Sequence, residues 1–114
     1  MNAGPDSQAI NNRDGPAGKG ETPETVRRRV TIINSRGLHA RAAAKFAAAA
    51  GNFEAKILVS RGEQTISGLS IMGLMMLAAA PGSDIELTAT GPDAKAAIDT
   101  LAALIADKFQ EDDG

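Results

Sequence analysis

From Val26 onward the hydrophobic positions alternate between two periods, and each change of period marks a new element. In "VRRRVTIIN", Val26, Val30 and Ile32 recur at even spacing among Arg and Thr, the mark of a half-buried strand. After the break at Ser35-Arg36-Gly37, the alanine-rich run predicts a helix from about Ala40 to Ala50. Gly51 and Asn52 follow, residue types that tolerate a left-handed C-cap. "FEAKILVS" sets Ala55, Ile57 and Val59 against Lys56, Leu58 and Ser60, and a tight turn at Arg61-Gly62 lets "EQTIS" return as a short strand. "SIMGLMML" reads as a short helix with Ser70 as its N-cap and with Leu74 and Leu77 three apart; the Pro81-Gly82 turn closes it. "DIELTAT" restores alternation, with Ile85, Leu87 and Ala89 on one face. "GPDAKAAIDTLAALIADKF" carries the strongest helical period, its buried stripe formed by Ala94, Ala97, Ile98, Leu101, Leu104 and Ile105.

The order is therefore strand, helix, strand, strand, helix, strand, helix, and every helix has one apolar face to bury. The economical solution is an α+β domain, a small antiparallel sheet covered on one side by helices. Residues 1–24 mix Gly, Pro, Asn, Asp and Glu with almost no large apolar side chains, too little buried surface to offset ordering entropy. They read as a flexible tail preceding a domain over residues 25–109, with residues 110–114 a short acidic tail.

A chain of 114 residues, 43% hydrophobic and 23% charged, has room for one compact domain. A net charge of -2 with only 3% aromatic residues argues against nucleic-acid binding, which calls for basic patches and stacking platforms. Cysteine is absent, which removes disulfides and thiolate metal sites and suits a reducing cytosol. No secretory h-region and no bilayer-length apolar run stands in the sequence, and the expected location is the cytoplasm.

The chain has one histidine, His39, placed just before the Ala40 helix. There several backbone N–H groups lack intrahelical partners and the helix dipole favours negative charge. Arg41, in the first turn, opposes that dipole unless an anion visits, and its guanidinium suits phosphate oxygens. A neutral imidazole can attack a phosphoryl group with one ring nitrogen while a hydrogen bond fixes the other. On residue types alone an ordinary loop entering a helix explains Gly-Leu-His-Ala as well. A metal site lacks a second histidine or any cysteine to complete it, and no cofactor is called for. Ser70 is by residue type a helix cap, at a position where added phosphate is also tolerated. Met72, Met75 and Met76 are too many on one short helix for all to face the core. They read equally as gap-fillers or as an adaptable partner surface.

Together "GLHARAAAKF", "SGLSIMGLMML" and "GSDIELTATGPDAKAAIDTLAALI" closely resemble the HPr family, histidine phosphocarriers of the bacterial phosphoenolpyruvate-dependent phosphotransferase system, over about residues 28–108. The resemblance implies an open-faced β-sandwich of βαββαβα order, a four-stranded antiparallel sheet with three helices on one face. It also implies that His39 accepts a phosphoryl group on Nδ1 from phosphorylated enzyme I and passes it to a IIA protein or domain, with Arg41 holding the phosphate. Ser70 falls where many members are phosphorylated by HPr kinase/phosphorylase, and Ile71, Met72 and Met75 fall on the family's docking helix. Such a protein is a carrier and not a turnover enzyme; a monomer without nucleic-acid or membrane partners is expected. Ala42 departs from the proline common at that position and is more like the nitrogen-related branch. The long N-terminal segment is a second departure.

Overall fold

The computed structural model describes residues 24–77 and 79–111. The elements are β1 (Thr25–Thr31), α1 (Ala40–Ala50), β2 (Lys56–Arg61), β3 (Gln64–Ser67), α2 (Ile71–Met76), β4 (Asp84–Thr90) and α3 (Ala94–Ala106), followed by a single tight turn over Lys108–Gln110. All but Glu24 of the expected N-terminal tail lies outside the described residues.

The four strands form one antiparallel sheet in the order β1-β4-β2-β3. Register follows the hydrophobic alternation, because residues directly opposite in a ladder share a face. Val26 stands opposite Ala89 and Val30 opposite Ile85, while Val59 faces Leu87 on one side and Ile66 on the other. Ile57, Val59, Ile85, Leu87 and Ala89 are buried beneath the helices with Ala42, Ala43, Phe46, Leu74, Ile98 and Leu101. Fully burying one of the larger of these side chains stabilises the fold by about 1.5–3 kcal/mol. The alanines of α1 put little bulk between that helix and its neighbours, so Phe46 can reach the common core.

Arg28 sits opposite Leu87 on the core-facing side of the edge strand. Its guanidinium reaches across to Asp99 of α3 (2.8 Å), which also accepts from Lys95 one turn away (3.0 Å). The Lys95 hydrogen bond first, and that of Arg28 next, hold the Asp99 carboxyl below its ordinary range. The resulting contribution is present near neutrality and is lost as pH falls through that lowered value; the site is open to solvent, where such pairs count for little.

Three local features differ from the sequence expectation. Gly51 ends α1 in the right-handed region (φ -68°, ψ -11°), not as a left-handed cap; its N–H donates to Ala47 O (3.0 Å) and the chain simply turns away. Leu104 is only partly buried at the edge of the stripe, whereas Ala94, Ala97, Ile98, Leu101 and Ile105 are buried. Most consequential, the helical period through Phe109 does not continue as helix. Helix α3 ends at Ala106, and Lys108, Phe109 and Gln110 take φ values of 55°, 57° and 62°.

A left-handed residue other than glycine costs about 1–2 kcal/mol, so three in succession require compensation. Phe109 supplies it by complete burial in the core. Lys45 Nζ donates to Phe109 O (2.8 Å), and the turn closes its own bonds from Gln110 N to Asp107 O (2.9 Å) and from Glu111 N to Lys108 O (3.0 Å). Phe109→Ala is expected to destabilise the fold by about 3–5 kcal/mol, and to release the segment after α3, measured by denaturant unfolding and by amide exchange at residues 107–111.

Candidate functional site

The loop between β1 and α1 sets the position of His39. Its first residue, Ile32, is buried and continues the strand pairing, donating to Ser83 O (2.8 Å) and accepting from Gly82 N (2.7 Å). Asn34 is also fully buried, and its Nδ2 donates to Gly37 O (2.8 Å), tightening the turn that Gly37 N closes on Asn34 O (3.2 Å). Gly37 has φ +66°, and a Cβ there would stand 2.5 Å from Ala79 O and 3.1 Å from Ala80 Cα. Only glycine meets both conditions. Leu38 then buries its side chain and donates its N–H to Ala79 O (2.9 Å), which leaves His39 next in line at the start of α1.

His39 is the N-cap, in extended conformation (φ -82°, ψ -178°), but its imidazole makes no capping hydrogen bond. The first helical bond runs from Ala43 N to His39 O (2.8 Å), so the amides of Ala40, Arg41 and Ala42 precede the ladder and remain available to an anion. No acidic residue occupies this first turn. Arg41 is exposed, with no hydrogen-bond or ion-pair partner among the described residues. Ala42 is completely buried, so the position where proline was the alternative serves packing.

The imidazole has a partner that sequence reasoning missed. His39 Nε2 pairs with Glu111 Oε2, a residue expected to belong to a short acidic tail. The second oxygen, Glu111 Oε1, accepts from Asn34 Nδ2 (3.2 Å). Glu111 reaches the ring because the left-handed turn folds the chain back after α3. Neither Asn34 nor Glu111 carries a local motif; the available hint was Phe109, a large apolar residue just before the acidic end.

The second candidate cluster is separate in sequence and lies on α2, which packs against α1. Ser70 caps the helix, its Oγ accepting from Gly73 N (2.9 Å). Leu74 and Leu77 face the core, whereas Met72, Met75 and Met76 are 70%, 42% and 69% exposed, with Ile71 and Leu69 beside them. The methionines are therefore a surface and not gap-fillers. Arg61 Nη1 donates to Leu77 O (3.0 Å), fixing the C-terminal end of this short helix.

The chain is similar in sequence and in fold to known proteins. A family model described as "PTS HPr component phosphorylation site" matches residues 26–107. The chain belongs to the HPr family of phosphotransferase-system phosphocarriers. It is 50% identical over 86 residues to Phosphocarrier protein HPr of Cupriavidus necator, covering 75% of this chain and 97% of that one. It is 46% identical to Phosphocarrier protein NPr of Shewanella violacea, covering 75% and 94%. The fold matches the crystal structure of HPr-C-His from Thermoanaerobacter tengcongensis with a TM-score of 0.73 at 38% identity, over 76% of this chain and 98% of that one. The four-stranded sheet with three helices is thus the HPr fold, and its function is to carry phosphoryl groups in the phosphotransferase system, between enzyme I and IIA proteins.

No helix among the described residues is long and apolar enough to cross a membrane. Because the whole site hangs on the tight contact at Gly37, Gly37→Ala is expected to lower stability by more than about 1 kcal/mol and to shift the His39 imidazole signals. Thermal unfolding and NMR spectra of the single histidine check both effects.

Proposed function

We propose that His39 is the residue through which this HPr-family protein carries its phosphoryl group, on Nδ1, receiving it from phosphorylated enzyme I and passing it to a IIA protein or domain. One observation carries the reading: His39 is the N-cap of α1 without a side-chain capping bond, and among the described residues the first-turn amides and Arg41, two residues on, have no partner. A phosphoryl group on Nδ1 would meet those donors and the positive end of the helix dipole, and the guanidinium adds charge-assisted hydrogen bonds. The protein serves as a carrier without turnover chemistry of its own, needs no cofactor, and acts in the cytoplasm as a monomer.

The exposed Ile71, Met72 and Met75 form the docking surface. Such a carrier must meet several partners through one modest apolar patch, and unbranched methionine adapts its packing to each. Ser70 is a regulatory phosphorylation site for HPr kinase/phosphorylase at the margin of that patch. A phosphate there sits favourably at the start of α2 but places about two negative charges beside an apolar interface. A second reading, a regulatory module of the nitrogen-related branch, is favoured by Ala42 and by the NPr relative at 46% identity. In that reading the same chemistry controls partner proteins without sugar transport.

Incubation with phosphoenolpyruvate and enzyme I is expected to yield an acid-labile phosphoprotein, and His39→Ala to take no label; equal labelling of the variant would contradict the assignment. Ser70→Asp is expected to slow phosphorylation by enzyme I while leaving the unfolding midpoint nearly unchanged, since Asp also caps helices. Stopped-flow transfer with wild-type and variant protein reads the difference, and an unchanged rate would rule out a switch at Ser70.

A further inference from the structure

We propose that Glu111 is a positioning residue for phosphoryl transfer: its carboxylate holds the proton on His39 Nε2 and so presents Nδ1 as the nucleophilic nitrogen. This rests on the reading of His39 as phosphoryl acceptor. The ionised carboxylate can only accept, so its contact with Nε2 requires that nitrogen to carry the hydrogen. In the neutral ring the lone pair then lies on Nδ1.

The partner is fixed as firmly as the ring. Glu111 has a side chain only 8% exposed, against 22% for His39. Its other oxygen is held by Nδ2 of the fully buried Asn34, and the same Nδ2 also donates to Gly37 O in the loop that places His39. Two residues before Glu111, the buried Phe109 anchors a turn of three left-handed residues, tied to α1 through Lys45. An acidic tail without a task would stay in water; here a strained and anchored segment delivers one carboxylate to the sole histidine.

The transfer step balances without a proton leaving the ring. The Nδ1 lone pair forms the new bond to phosphorus as the bond to the donor atom of enzyme I breaks, its electron pair departing with the donor. The proton remains on Nε2, the phosphorylated ring carries the positive charge, and the carboxylate beside it balances that charge. In onward transfer the N–P pair returns to Nδ1 and the ring leaves neutral, still with its proton on Nε2. Glu111 acts through the imidazole and does not touch the phosphoryl group.

The test uses the full chain labelled with 15N-histidine, in which one residue gives the whole imidazole spectrum. At a pH where the ring is neutral, the wild type is expected to show an exchange-protected Nε2–H and no population protonated at Nδ1. In Glu111→Ala, and in Glu111→Gln, which preserves side-chain size, the protected signal is expected to be lost and the Nδ1–H form to appear. Removing the hydrogen-bond partner that orients a metal-ligating imidazole costs about 10–100-fold; with the same orienting role here and no metal, the single-turnover rate from enzyme I should fall by about the lower figure, with little change in the enzyme I concentration giving half-maximal rate. An unchanged tautomer signature, or an unchanged rate despite a changed signature, would overturn the role of Glu111. If the wild type itself took no label, the reading of His39 would fall and any role for Glu111 in transfer with it. Failure of the Glu111 proposal alone is recognised by normal labelling of the wild type.

Discussion

The close approach of Gly37 to the backbone of Ala79 and Ala80 is the constraint on which the site depends. It locks the β1–α1 loop against the segment between α2 and β4 and thereby fixes where α1 begins. Everything chemical at the site is then a matter of position along a helix start. His39 falls at the cap and Arg41 in the first turn, while Ala42, Ala43 and Phe46 turn inward to hold α1 on the core. A loop that merely connected strand to helix could vary in length; one pressed against the Ala79–Ala80 backbone cannot shift by one residue without moving His39 from the helix start.

Two separate parts of the chain converge on that helix start. From the N-terminal side come the loop, Asn34 and His39; from the C-terminal side comes Glu111, brought back by a left-handed turn whose strain is offset by burial of Phe109. Nε2 is engaged by a nearly buried carboxylate, and in the proposed reading Nδ1 is the nitrogen that takes the phosphoryl group. The exposed methionines of α2 lie on a different element from the ring, so the docking proposed for them can adapt its packing without disturbing His39.

Much of this was legible in the sequence because it repeats. Strand alternation in "DIELTAT" and helical spacing in "AKAAIDTLAALIA" each offer several residues that agree, and burial of Ile85, Leu87, Ile98 and Leu101 follows directly. Pairing Ser70 with the amide of Gly73 was legible from residue type and position. The left-handed turn was not, since Lys108, Phe109 and Gln110 are ordinary residues for extending a helix and none is a glycine to announce a positive φ. Glu111 was hidden for a related reason: in "QEDDG" nothing local separates one acidic residue from the next, and its partner His39 lies 72 residues away. Long-range polar contacts made by a single pair leave no periodic trace.

The central claim is that one ring nitrogen of His39 reacts while the other is held. The most direct measurement is 31P and 15N NMR of the 15N-histidine-labelled protein after phosphorylation by enzyme I, reading the phosphorus–nitrogen coupling. The account predicts coupling of phosphorus to Nδ1 with hydrogen retained on Nε2. Phosphorus bonded to Nε2, or to any residue other than His39, would contradict it.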